Sequence, residues 1–320
     1  MTQNEEPTPS PTVSIGMPVY NGKTYIRAAV NSLLVQTYTN FEMIISDNAS
    51  TDSTEAICQE YGVLDPRIRY VRHSQNQGPI TNFEFVLNEA RGKYFMWAAH
   101  DDVWEPTYLQ TLVDLLQRNP AALLAFSRFD NIDRVGRRCR TFKEDWPAVF
   151  AGAKWSQFLR FILADPAKTQ KANHIYGLFR TDNLRDRGGL ECLADDYAGC
   201  DIVTLFDLLI MGNFVVRDEV LFHYRDDGRY RMKVLVKGSI GERAKKHPRN
   251  VWRGLFRLHL MHGGMRAYVP KAPRQLRSFL YVLLAISELL TSYRSCVRIC
   301  ARDMRTLSTI LFWKMTDKLR

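Results

Sequence analysis

The 320-residue chain has no apolar run long enough to span a bilayer. Its most apolar late stretch, Phe279 to Leu290, is broken by Glu288 and falls short of the roughly 20 residues a spanning helix needs. The opening, MTQNEEPTPSPT, has neither the basic start nor the apolar core of a secretory signal. It reads as a disordered lead-in over 1–12. Six cysteines occur, at 58, 139, 192, 200, 296 and 300, and none forms a CxxC pair. Without a signal sequence they are expected to be reduced thiols of a cytoplasmic protein. Cys296 and Cys300 share a helical face, a spacing that does not by itself make a metal site. No GxxxxGK[ST] phosphate loop is present, and His259-Leu-Met-His262 lacks the acid of HExxH. No repeat of 20–50 residues is visible.

Apolar residues are plentiful, at 46%, enough for a sizeable core. The net charge of +10 is unevenly spread. Residues 1–216 hold 21 Lys+Arg against 26 Asp+Glu, a balance of −5. Residues 217–320 hold 23 against 8, a balance of +15. A basic tail behind a mildly acidic body points to an anionic partner such as phosphates or an anionic lipid surface.

The first half alternates strand and helix signals. Strands are expected at Val13–Val19, Phe41–Ser46, Ile68–His73, Tyr94–Ala99 and Leu123–Phe129. Helices are expected at Tyr25–Val35, Ser53–Tyr61, Ile80–Ala90 and Pro106–Arg118. Asp52 and Glu55 have the spacing of a capping box. Repeated β-α units predict an α/β fold, a mostly parallel sheet flanked by helices. Further on, Ile175–Arg180, Phe214–Val216 and Val220–Tyr224 read as short strands and Ile202–Met211 as a helix. Beyond 225 the chain is basic and has helical patterning. Ligands of such sheets sit beyond the carboxyl ends of the strands. The segments to search are therefore 20–23, 47–52, 74–79 and 100–104.

Those segments are rich in acids. Asp101 and Asp102 follow an apolar strand. Two adjacent acids there either cap the helix that starts near Pro106 or hold a hard divalent cation, Mg²⁺ or Mn²⁺, whose shell is completed by phosphate oxygens and water.

Four ordered motifs carry a resemblance: Val13-Ser-Ile-Gly-Met-Pro-Val-Tyr-Asn21, Ile45-Ser-Asp-Asn-Ala-Ser-Thr-Asp52, Asn76-Gln-Gly78 with Asn82, and Gly92-Lys-Tyr-Phe-Met-Trp-Ala-Ala-His-Asp-Asp102. In order and spacing the chain resembles family 2 glycosyltransferases of the GT-A fold over roughly 13–225. The resemblance implies an inverting enzyme that moves a sugar from a nucleoside-diphosphate sugar to a hydroxyl of a glycan or lipid-linked acceptor, in surface-polysaccharide or cell-envelope synthesis. It implies that Pro18, Tyr20, Asn21, Asp47, Asn76 and Asp101 bind the donor, with Tyr20 and Asp47 near the base, and that Asp102 ligates the metal. The family often carries an extra acid in front of the pair, where this chain has Ala99 and His100. His100 is thus a candidate ligand or second-layer donor. A general base is needed for the acceptor hydroxyl. The resemblance points to Asp201, with Asp196 and then Asp195 in reserve. The family commonly pairs that acid with a Glu, and Cys200 stands there instead. Arg225 matches a basic residue after the last short strand and is expected at the diphosphate, with Arg229 and Arg231 in a loop that folds over it. A non-catalytic nucleotide-sugar-binding scaffold is the alternative on the same fold.

The tail, 226–320, mixes Arg with Leu, Phe, Tyr and Trp. It is expected either to lie on anionic lipid at the inner face of the plasma membrane or to pack as a helical cap. No nucleic-acid-binding module is recognised.

Overall fold

A computed structural model describes residues 10–226, apart from 143, 154–155, 158–159, 162–163, 165–168 and 191–199. Strand and helix alternate at first: β1 (Val13–Val19), α1 (Ile26–Leu34), β2 (Phe41–Asp47), α2 (Thr54–Leu64), β3 (Ile68–Arg72), α3 (Pro79–Asn88) and β4 (Tyr94–Trp97). There follow β5 (Val103–Trp104), α4 (Tyr108–Arg118), β6 (Ala122–Ile132), β7 (Arg138–Thr141), α5 (Trp146–Val149), a 3-10 turn over Lys171–Tyr176, β8 (Leu178–Arg180), α6 (Thr181–Asp186), α7 (Cys200–Met211) and β9 (Asn213–Arg225).

The strands form one sheet in the order β3-β2-β1-β4-β8-β6-β9-β5, with β7 added on β6. The first four are parallel throughout. The second half is mixed: β8 runs antiparallel to β4 and β6, β9 runs parallel to β6, and β5 runs antiparallel to β9. Strand β1 is buried along its whole length, as its central place requires. Gly16 lets α3 approach it closely, since a Cβ there would lie 2.6 Å from the Val86 side chain. In α4 the buried Leu109, Leu112, Val113 and Leu116 recur at helical spacing and seat that face on the sheet. No described helix is long and apolar enough to cross a membrane.

Three local expectations are corrected. The capping box at α2 does not form. Asp52 instead accepts from the Thr54 amide at 2.9 Å and the Lys23 amide at 3.3 Å, while Glu55 pairs with Arg72 at 2.9 Å. The two short strands expected around 214 and 220 are one long β9, because β6 pairs with it throughout by absorbing register shifts near Ser127 and Arg128. Not all thiols are reduced: Cys58 is a free thiol, but Cys200 is disulfide-bonded. Burial, then the charges of Asp47 and Asp52, push the Cys58 thiol up to about 12, so it is inert at neutral pH.

At the amino ends of the strands, buried Glu42 accepts from Ser14 Oγ at 2.6 Å, the Arg91 amide at 2.8 Å and the Arg91 guanidinium at 2.9 and 2.6 Å. Burial raises its carboxyl pKa, but these bonds more than offset that and hold it below the usual range. Its stabilisation is therefore present above the unfolded carboxyl value and is lost as pH falls through the folded one. Glu42→Gln is expected to cost about 1–3 kcal/mol at pH 7. It should also flatten the acid limb of stability, read from denaturant midpoints between pH 7 and 3.

Candidate active site

The carboxyl ends of β1, β2 and β3 are laced into one rim. Asn21 (φ 54°) and Ala49 (φ 61°) take left-handed backbone conformations at the two loop tips. Such residues are uncommon outside glycine, and here side-chain bonds hold them. The Asn21 amide donates to Ser50 Oγ at 2.9 Å, and Asn21 Oδ1 accepts from the Thr51 amide at 2.8 Å. The Gly22 amide donates to Thr54 Oγ1 at 2.8 Å. Asn48 crosses to the next loop, donating to Asn76 Oδ1 at 3.0 Å and accepting from the Gln77 amide at 2.8 Å.

This lacing redistributes the expected donor residues. Tyr20 is 45% exposed at the mouth of β1 and is free to face a ligand. Asn76 is exposed, though its oxygen is shared by Asn48 and the Gly78 amide. Pro18 is buried within β1 opposite Ser46. Asp47 is 0% exposed, with Oδ1 accepting from the Ser50 amide and Oδ2 from the Tyr70 hydroxyl, both at 2.8 Å. Its carboxylate braces the loop from within.

Asp101 and Asp102 lie between β4 and the two-residue β5. They do not cap α4, which begins six residues later, beyond β5. Asp102 is 0% exposed. Its Oδ1 accepts from the Arg225 amide at 2.7 Å, and its Oδ2, also buried, has no hydrogen-bond partner. Burial first, and then the charge of Asp101, push its carboxyl well above the usual range against the pull of Arg225. A buried acid left with an empty oxygen beside a second acid is a costly arrangement. His100 is half-buried, its ring so close to the β1–α1 turn that a Cβ on Gly22 would lie 2.8 Å from it.

Arg225 lies against the same loop. Only 7% exposed, it donates through Nε to the Asp101 carbonyl at 2.7 Å and through Nη1 to the Asp133 carbonyl at 2.8 Å, and its guanidinium lies 4.6 Å from the Tyr25 ring centre. These two bonds fix the acid loop through Nε and Nη1. Arg229, Arg231, Asp195, Asp196 and the tail lie outside the described residues.

Asp201 stands in the first turn of α7. The Tyr176 hydroxyl is pushed well above its ordinary value by burial and then by Asp102, Tyr224, Asp101 and Asp201. One tyrosine thus senses the proposed metal acids and the proposed base together. Sequence reasoning missed Tyr176. It also missed a chain of side chains beneath the acid pair, in which His223 Nδ1 lies 2.5 Å from Asp130 Oδ1 and Nε2 lies 2.9 Å from Glu105 Oε1. Asp130 and His223 face each other only through the β6–β9 register, and no spacing in the sequence announces that.

Among the described residues no three His, Cys, Asp or Glu side chains group closely enough to hold a metal by themselves. A cation that draws most of its shell from phosphates and water needs only one or two carboxylates. The vacant Oδ2 of Asp102, with Asp101 beside it, fits that donor set.

The family model described as "Glycosyl transferase family 2" matches residues 14–180. The chain belongs to that family. Its curated relatives are matched over only part of their length. An uncharacterized glycosyltransferase of Rickettsia bellii is 37% identical over 130 residues, 40% of this chain and 18% of the relative. A glycosyltransferase assigned to teichuronic acid biosynthesis in Bacillus subtilis is 35% identical over 112 residues, 35% of this chain and 44% of the relative. The matched region thus spans less than half of either relative. Among solved structures, S. aureus TarS 1-349 in complex with UDP-GlcNAc superposes with a TM-score of 0.52 at 18% identity, over 67% of this chain and 58% of that one. The mannosyltransferase PcManGT of Pyrobaculum calidifontis, in complex with GDP-Man and Mn²⁺, gives 0.53 at 15% identity, over 97% of this chain and 81% of that one. At these identities the likeness concerns the fold, which is of the GT-A type. The family match ends before α7 and does not reach Asp201.

Proposed function

We propose that this glycosyltransferase moves one sugar, with inversion, from a nucleoside-diphosphate sugar to a hydroxyl of a glycan or lipid-linked acceptor of the cell envelope. The observation that carries the reading is the vacant, buried oxygen of Asp102 beside Asp101. Asp102 and Asp101 would hold a divalent cation, which supplies positive charge to the diphosphate as it leaves. Asp201 accepts the proton of the acceptor hydroxyl as that oxygen attacks the anomeric carbon. The bond from that carbon to the diphosphate oxygen breaks on the opposite face, and the nucleoside diphosphate departs. Tyr20 and the rim of loops at 47–52 and 76–78 line the donor's nucleoside end. The envelope context is supported by the Bacillus relative assigned to teichuronic acid biosynthesis.

A melting screen of nucleotide-sugars with and without Mn²⁺ tests the reading. A ligand present at about 100 times its Kd adds ~2.7 kcal/mol of stability, a rise of several degrees. One nucleotide-sugar is expected to give that rise with Mn²⁺ and a smaller one without, followed by slow donor hydrolysis. Absence of any shift and any turnover across UDP-, GDP-, TDP- and CDP-sugars would remove this reading.

A further inference from the structure

Beneath the acid pair runs a line of alternating charges that no part of the reaction has yet used. Arg138 Nε lies 2.9 Å from Asp130 Oδ2, Asp130 Oδ1 lies 2.5 Å from His223 Nδ1, and His223 Nε2 lies 2.9 Å from Glu105 Oε1. The four groups come from β7, β6, β9 and the end of β5. The His223 side chain is 9% exposed and that of Asp130 2%. Carboxylates only accept hydrogen bonds, and a neutral imidazole has a single N–H to give. A ring with a carboxylate at each nitrogen satisfies both only as imidazolium, and the line Arg138, Asp130, His223, Glu105 then sums to zero charge.

Strand β5 is two residues long, and β9 is its sheet partner through Val103 opposite His223 and Trp104 opposite Phe222. The Glu105 amide donates to the Leu221 carbonyl at 2.9 Å. Asp102 in turn takes the Arg225 amide. The acid pair therefore hangs from β9 on both sides of His223. We propose that His223 is a positioning residue, an imidazolium clasp that joins the end of β5 to β6 and so sets where Asp101 and Asp102 stand for the donor. The inference rests on the donor-site reading above. The ring's electrostatics agree with it: burial pulls the imidazole down, but Asp130 and Glu105 more than offset this and leave it raised. The clasp is complete below the ordinary histidine value and opens as pH rises through the raised one.

The test uses the full chain labelled with 15N-histidine, the His223 ring being the signal absent from His223→Gln. Both ring nitrogens are expected to be protonated at pH 7, with a midpoint above the ~6.5 of a free imidazole. Glu105→Gln, a change at a half-exposed side chain, should lower that midpoint by about one pH unit. Affinity for UDP or GDP, each with Mn²⁺, should fall about tenfold as the ring deprotonates. That loss should move down in pH together with the ring in Glu105→Gln. A midpoint at or below that of free imidazole overturns the proposal. So does an alkaline loss of affinity that stays in place while the ring's midpoint moves. If the wild type binds neither nucleotide at any pH, the donor-site reading fails. The clasp is then judged on the ring midpoint and on amide-exchange protection of 101–105 at pH 7, which Glu105→Gln should reduce and which, if unchanged, refutes it.

Discussion

Asp102→Asn is expected to lower sugar-transfer turnover by roughly 10²–10³, the scale seen when a group aimed at transition-state charge is removed, and to leave the fold intact. Asparagine keeps an oxygen in the Oδ1 position, so the 2.7 Å bond from the Arg225 amide survives. What is lost is the negative charge on an oxygen that no protein donor satisfies. Replacing a fully buried acid that stands beside Asp101 with a neutral group also relieves a desolvation cost. The variant should therefore melt no lower than the wild type at pH 7 without ligand, while its rise in melting temperature with metal and nucleotide disappears. A drop of many degrees in the ligand-free protein would mean that Asp102 is chiefly a structural residue.

Asp201→Asn should separate chemistry from binding. The side chain is partly buried at the start of α7. Removing its charge there costs the helix about 0.3–1 kcal/mol through the dipole, a change that melting experiments read directly. On the proposed reading the donor would touch the acid pair and the loop rim rather than α7, so its Kd should stay within about twofold of wild type. Transfer should fall by about 10²–10⁴, the usual share of a positioned general base. The acid side of the rate profile, where a carboxylate base becomes protonated, should flatten at the same time. Undiminished transfer would move the base to Asp196 or Asp195.

The parallel half of the fold was legible because its strands are continuous apolar runs separated by turn residues, and its helices carry one apolar stripe. The acid pair was legible because two adjacent carboxylates after a buried strand need an explanation. Three things were hidden. Asp52 and Glu55 have capping-box spacing, but Arg72 on β3 competes for Glu55, and a local pattern cannot register a partner 17 positions away. Arg225 has the charge suited to a diphosphate, and its bonds to the Asp101 and Asp133 carbonyls could not be read from the chain. Burial of an arginine by backbone oxygens is a tertiary fact. His223 looked like an ordinary strand residue until the register of β6 and β9 set Asp130 opposite it. In each case the sequence shows the chemical group, and only the pairing across the sheet shows its partner.

The most direct test is a Mn²⁺ EPR titration of the wild type and Asp102→Asn, each with UDP and with GDP. If the acid pair holds the metal and diphosphate, the wild type will bind Mn²⁺ far more tightly with one of the nucleotides than without it, and Asp102→Asn will lose that gain by at least about tenfold. Equal Mn²⁺ affinity in the two proteins, with nucleotide present, would contradict it.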